Sequence, residues 1–418
     1  MKAVLLDKGG TLGDDLPYDV EPGRITLCSG GRADRQPWGP RMKPDPLPSW
    51  RQARRILCVR LDALGDVLMC TPAMRALRDA VPGRSLTLLT SPSGAAALPF
   101  IPEVEAAIVH AAPWMETGLP AGPAKLTALA SELAARRFDA AVVFTAYTQS
   151  ALPAAMLCWQ AGIPLRLAHC RENPCHLLSD WVEDPEPRRM VRHEVQRQLE
   201  LVVRAGVPRQ AGAPPLSFAL RAADLAAVRV RLLRLGIAAD RPWLLLHPGA
   251  GAASRRYPAG HWAHALGLLV RRTGLPVVLT GGAPDAALVD DIRAGCGVPT
   301  HSLAGQLSLG ELGAALSLAA VALTNNSGPA HVAAAVGTPV VVPYALTNPQ
   351  HTPWKVRSRV LFQDVPCRFC FSSACPVGHH ACLAGVEPER VVEAALELLA
   401  PRRSAPAMEE AVVRLDSG

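Results

Sequence analysis

A two-part, doubly wound α/β architecture is predicted by three features of this sequence. Strand-length apolar runs alternate with helix-length segments from Arg54 onward, the alternation restarts after a Pro- and Ala-rich bridge near Pro208 to Pro215, and acidic or small-residue motifs stand where strands end. In the first half, strands are expected over Ile56 to Arg60, Leu86 to Thr90 and Ala140 to Phe144, with helices over Val67 to Ala80 and Leu126 to Arg137. In the second half, a helix over Ala222 to Arg234 precedes strands over Trp243 to His247, Pro276 to Thr280, Ala320 to Thr324 and Pro339 to Pro343. Helices are expected between them at Ala259 to Arg271, Ala286 to Arg293, Leu309 to Leu318 and Ala330 to Val336. Ligands of such a fold bind at the carboxyl ends of the strands, in a cleft between the halves.

The chain has 418 residues, too many for one ordinary core. Boundaries are expected at 1–53 for an appendage and linker, 54–215 and 216–400 for the two halves, and 401–418 for a tail without fold signal. A net charge of +7 accompanies 43 basic residues of which only five are lysine, scattered along the chain with few aromatics, so nucleic acid is not an expected partner. No signal peptide is apparent. The uncharged stretch from Leu312 to Trp354 is interrupted by Asn325 to Pro329 and Gly337, and it is read as strands and a helix of a buried core rather than a membrane span. Eleven cysteines without an export signal point to a reducing compartment and largely free thiols.

Five places carry chemistry. Gly65-Asp66 lies where the first strand turns into a helix, so the carboxylate stands on the ligand-binding edge, and Asp66 is the candidate general base. A helix N-cap is the plainer reading of the same residue, and Asp62 on the same loop competes with it. His247-Pro248-Gly249 leads to Ser254-Arg255-Arg256, where small residues admit an anion and the arginines can pair with phosphate, although a plain tight turn explains the glycines as well. Asn325-Asn326-Ser327-Gly328-Pro329-Ala330-His331 opens a helix whose first amides suit a phosphate. Asn326 or Ser327 would serve as cap, and His331 would face the same end. Asp285, after Gly281-Gly282, would accept from ribose hydroxyls or cap a helix. Cys367, Cys370, Cys375 and Cys382, with His379 and His380, are dense enough to hold a zinc or iron ion or to remain structural thiols.

From Arg54 to Leu399 the chain resembles glycosyltransferase family 9, the ADP-heptose:lipopolysaccharide heptosyltransferases. The resemblance rests on Val59 to Leu68 with Thr71-Pro72-Ala73, on His247-Pro248-Gly249 leading to Arg255-Arg256-Tyr257-Pro258, and on Asn326 to His331; a Cys-rich segment ending in Cys382-Leu383 is also seen in the family. It implies a GT-B fold and an inverting heptosyltransferase that draws on ADP-heptose and a lipid A-linked lipopolysaccharide core acceptor. It also implies Asp66 rather than Asp62 as base, and Arg255 with the helix end at Ser327-Gly328, His331 nearby, on the donor diphosphate; Gly249, Asp285 and Asn326 are assigned to the donor side by their strand-end positions. No cofactor is implied for catalysis, and a cytoplasmic protein with peripheral contact to the inner membrane face is. Many relatives carry Lys at the Arg255 position and Asp at the Asn326 position; Arg keeps the charge, whereas Asn cannot act as an anion. A transferase using another nucleotide sugar or a protein acceptor, a GT-B-like sugar-nucleotide epimerase, and a non-catalytic scaffold are the alternatives. Separately, Asp7 to Leu12 with Pro17 to Val20 resembles the opening of haloacid dehalogenase-type phosphatases of the histidinol-phosphate and heptose-bisphosphate branch. Gly9 replaces their second aspartate, which implies an inactive remnant.

Overall fold

The computed structural model describes residues 4–6, 12–14, 49–115, 122–209, 212 and 214–400. By compactness the chain divides into residues 1–47 and 48–418. In the smaller unit, strands β1 (Val4–Leu6) and β2 (Leu12–Asp14) pair antiparallel. The phosphatase-like residues Asp7 to Thr11 and Pro17 to Val20 lie outside the described residues.

The larger unit contains two six-stranded parallel sheets. The first is built from β3 (Arg55–Arg60), β4 (Ser85–Thr90), β5 (Ala106–Val109), β6 (Ala140–Val143), β7 (Leu165–Cys170) and β8 (Asp180–Glu183), ordered β5-β4-β3-β6-β7-β8. Its helices are α1 (Leu64–Asp79), α2 (Pro123–Ala135), α3 (Leu152–Gln160) and α4 (Glu194–Val203). After α5 (Ala222–Arg234), the second sheet takes β9 (Leu244–His247), β10 (Val277–Leu279), β11 (His301–Ser302), β12 (Val321–Thr324), β13 (Val340–Pro343) and β14 (Ser358–Leu361) in the order β11-β10-β9-β12-β13-β14. Its helices are α6 (Ala259–Thr273), α7 (Ala286–Gly295), α8 (Leu309–Leu318), α9 (Gly328–Val336), α10 (Ala381–Ala384) and α11 (Pro388–Leu399). Both sheets thus have the strand order of a dinucleotide-binding fold, and in each the winding reverses beside the first strand, between β3 and β6 and between β9 and β12.

The central strands are buried on both faces, which is why they read as unbroken apolar runs. Ile56 and Cys58 of β3 point into one core while Leu57 and Val59 point into another, and in β9 Leu245 is separated from Leu244 and Leu246 in the same way. The two halves also share buried packing. The core that holds Ile56, Leu68 and Met74 of the first half runs without interruption into Trp243, Ala315, Ala330 and Val332 of the second. The faces turned away from this shared layer have separate cores.

Two of the helix starts that bear on the site differ from the sequence expectation. α1 begins at Leu64, three residues earlier than expected, so Gly65 and Asp66 belong to its first turn, and α9 begins at Gly328 rather than Ala330. Both early starts use small or acidic residues that the apolar periodicity does not register.

Candidate active site

β3 ends on Arg60, a fully buried arginine. Burial opposes its charge, but three carboxylates hold the guanidinium protonated: Nε is 2.7 Å from Asp62 Oδ2, Nη2 is 3.2 Å from Asp66 Oδ1 and Nη1 is 2.6 Å from Glu194 Oε1. Asp66 is the third residue of α1. Its Oδ2 accepts from the Ala63 amide at 3.3 Å, so the carboxylate satisfies a free helix-end donor and is stabilised by the helix dipole. The N-cap reading is corrected by this geometry, since Ala63 occupies the cap and Asp66 reaches back to it from inside the helix. Asp62 accepts from Gln149 Nε2 at 2.5 Å, and burial together with the neighbouring Asp66 charge pushes its carboxyl up against the pull of Arg60. Both aspartates are thus bonded through both oxygens, Asp62 to Arg60 and Gln149 and Asp66 to Arg60 and the Ala63 amide.

On the second half, the loops after β9, β12 and β13 are tied together by the side chains that precede α9. Asn325 Oδ1 accepts from the Tyr257 amide at 3.1 Å and its Nδ2 donates to Pro248 O at 2.6 Å. Asn326 Oδ1 accepts from the Ala345 amide at 3.3 Å, and Ser327 Oγ donates to Gly249 O at 3.4 Å. Ser327 is therefore the N-cap by position but makes no capping bond with its side chain, and Asn326 is a buried tie between loops. Gly249 is required by contact: a Cβ there would lie 2.5 Å from Asp285 Oδ2. The structure places Asp285 at the start of α7, where Oδ2 also accepts from the Gly282 amide at 2.9 Å, so this carboxylate buttresses the Gly249 loop.

Arg255 closes the turn after β9. Its Nη2 is 3.4 Å from Asn348 Oδ1, while its buried Nε has no hydrogen-bond partner among the described residues, a donor left over for an anion. His331 is buried, its Nδ1 equally unpartnered, and its pKa is pushed down to about 3, chiefly by burial, with Asp66 opposing. The imidazole is neutral at physiological pH.

The two helix tips meet. A Cβ on Gly65 would lie 2.6 Å from His331 Cδ2, and one on Gly328 would lie 3.3 Å from Leu64 Cδ2. The motif around Asp66 and the motif around Gly328 are thus packed on each other, each at the winding reversal of its own sheet. Gly65→Ala is expected to cost about 1–3 kcal/mol through overpacking. His331→Ala in the same chain should return part of that, as read by chemical denaturation.

The Cys-rich segment packs on the donor-side turn, with Ser254 Oγ donating to Ser372 O at 2.8 Å and the Ser254 amide to Ser373 O at 3.0 Å. Cys367 Sγ lies 3.7 Å from His379 Nε2. Among the described residues no group of three or more His, Cys, Asp or Glu side chains is gathered to hold a metal ion.

The family model described as glycosyltransferase family 9 (heptosyltransferase) matches residues 126–381. The chain belongs to glycosyltransferase family 9. This family 9 chain is 27% identical over 352 residues to lipopolysaccharide heptosyltransferase 2 of Escherichia coli strain K12, covering 81% of its own length and 97% of the relative. Its fold is similar to a crystal structure of a family 9 glycosyltransferase from Veillonella parvula, with a TM-score of 0.69 at 22% identity, over 84% of this chain and 98% of that one. It is also similar to the structure of E. coli ADP-heptose lipopolysaccharide heptosyltransferase II, with a TM-score of 0.63 at 24% identity, over 82% and 98% of the two chains. The GT-B expectation is met, and the family 9 chain is a heptosyltransferase-like glycosyltransferase.

Sequence reading did not assign roles to Arg60, Glu194, Asn348 or His351. Arg60 stands in the quoted motif, where an arginine ending an otherwise apolar strand is a legible anomaly. Glu194, Asn348 and His351 are distant in sequence and carry no local signal.

Proposed function

We propose that the protein transfers a heptose from ADP-heptose to a hydroxyl of the lipopolysaccharide inner core, inverting the anomeric centre. The observation that carries this reading is the packing of the Asp66 helix tip against the Gly328–His331 helix tip, with the unpartnered Arg255 Nε on the donor side. The names of the relatives support the donor and acceptor classes. Asp66 accepts the proton of the acceptor hydroxyl as that oxygen bonds to the anomeric carbon. The bond from this carbon to the phosphate oxygen breaks, and ADP leaves with the electron pair. Arg255 and the amides near Ser327 and Gly328 offset the charge developing on the diphosphate, so the reading calls for no metal cofactor.

Gly249 and Asp285 shape the loop beneath the nucleotide, and Asn326 and His331 hold the helix tip. An acceptor of this kind is lipid-linked, which places the work at the inner face of the cytoplasmic membrane. No described helix is long and apolar enough to cross a membrane, and contact of the peripheral kind is the one proposed. Residues near the amino terminus are, in the same reading, a phosphatase remnant without its acid/base aspartate.

The test is a panel of nucleotide sugars offered with heptose-deficient lipopolysaccharide. ADP release that depends on both ADP-heptose and acceptor is expected. Turnover with another nucleotide sugar, glycosylation of a protein instead, or product formed without any acceptor would each replace this reading.

A further inference from the structure

Arg60 is one cation facing three carboxylates, two on the β3–α1 turn and one, Glu194, at the start of α4. The side chain that faces this excess of negative charge from the second half is His351. Its Nε2 lies 3.9 Å from Asp66 Oδ1 and 3.9 Å from Glu194 Oε2, just beyond hydrogen-bonding range of both. The segment carrying His351 is anchored on either side: the Glu194 amide donates to Gln350 O at 3.0 Å, and His193 Nε2 is 2.8 Å from Thr352 O. His193 also packs against Trp354, with ring centroids 4.4 Å apart. The imidazole is thus delivered to the carboxylates by the backbone around it.

Behind the ring stands Asn348. Its Oδ1 accepts from Thr347 Oγ1 at 2.6 Å and faces Arg255 Nη2 at 3.4 Å, which turns its amide nitrogen toward His351 Nδ1, also at 3.4 Å. Donation from Asn348 to Nδ1 leaves the ring proton on Nε2, the atom between Asp66 and Glu194. A line of polar contacts therefore runs from the donor-side arginine through Asn348 to His351, one 3.9 Å gap short of the base.

We propose that His351, held by Asn348, is a positioning residue for Asp66, donating from Nε2 to fix the carboxylate when the donor diphosphate occupies Arg255. This inference rests on the reading of Asp66 as the base. It requires only that the 3.9 Å separation shorten by about 1 Å to become a hydrogen bond. His351 touches neither reacting atom and acts through Asp66.

The experiment compares His351→Gln with His351→Leu, which are similar in volume, while only glutamine keeps a donor. The readouts are kcat, donor KM, ADP affinity by calorimetry, and thermal melting as a check of folding. The leucine variant is expected to lose about 10- to 100-fold in kcat, as a misplaced reacting group does, with donor KM and ADP affinity within about two-fold of the original protein. The glutamine variant should stay within about five-fold in kcat, since a placed donor is what the role needs. Equal kcat in the two variants, or loss of ADP affinity together with kcat in the leucine variant, would overturn the proposal. Should the leucine variant not fold, Asn348→Ala takes its place: reduced kcat supports the linkage and unchanged kcat removes it. Retained turnover in Asp66→Asn would remove the base reading itself, whatever the His351 variants do. An inactive Asp66→Asn beside a fully active His351→Leu removes only the present inference.

Discussion

Asp66→Asn is expected to lower kcat by about 10²- to 10⁴-fold, the range lost with a positioned general base, while ADP affinity changes by less than about two-fold. Asparagine keeps the size of the side chain and its oxygen for the Ala63 amide, so the first turn of α1 remains capped and the variant folds. What it lacks is the basic carboxylate. Single-turnover kinetics with saturating ADP-heptose, paired with calorimetry of ADP binding, check both halves of the expectation. Retained turnover would contradict the role of Asp66, and loss of ADP binding would show that the residue supports the donor site instead. The parallel substitution Asp62→Asn separates the two aspartates, because Asp62 is bonded to Arg60 and Gln149 and its loss should reduce stability more than it alters the chemical step.

Arg60→Met is expected to have the largest effect on stability. Glu194 and Arg60 are both fully buried and paired at 2.6 Å, and removing one member of such a pair typically costs about 3–5 kcal/mol because the other charge is left without compensation. The effect should depend on pH in a determined direction. Burial pushes the Glu194 carboxyl up, but Arg60 and then His351 outweigh it and hold the carboxyl well below the usual carboxylate range. A depressed folded-state pKa contributes stability that is fully present above the unfolded value of 4.5 and is lost as pH falls through the folded one. The gap between Arg60→Met and the original protein should therefore be widest near neutral pH and narrow below about pH 4.5. Urea titrations at several pH values measure it, and a gap that widens on acidification would show that the carboxylates are not what Arg60 neutralises. Combining Arg60→Met with Glu194→Gln should recover part of the loss, since the buried charge goes with its partner.

Much of the fold is legible in the sequence because parallel strands buried on both faces are continuous apolar runs, and because helices between them repeat at their own period. The helix over Ala222–Arg234 is expected and found with the same bounds. Elements whose composition is mixed escape that signal. β8, with the half-exposed sequence Asp-Trp-Val-Glu, sits at a sheet edge, and the start of α4 mixes buried Glu194, Arg197 and Gln198 with apolar neighbours. The Asp66 and Asn326–His331 motifs stand out because they combine strand-end position with unusual residue types. Their surroundings do not stand out, because Glu194 and His351 acquire meaning only from being folded against Arg60.

The sequence by itself determined that two wound halves exist, that Asp66 and the Gly328 helix tip each lie at the carboxyl end of a strand, and that the family is that of the heptosyltransferases. These are local properties, written in periodicity and in short motifs. Only the tertiary structure decided that the two tips touch through Gly65 and His331, that Asn326, Ser327 and Asp285 serve first as ties between loops, and that one buried arginine gathers three carboxylates with a histidine of the other half beside them. Electrostatics and steric contact act through space between residues far apart in the chain, so they are fixed by packing and leave no pattern along the sequence.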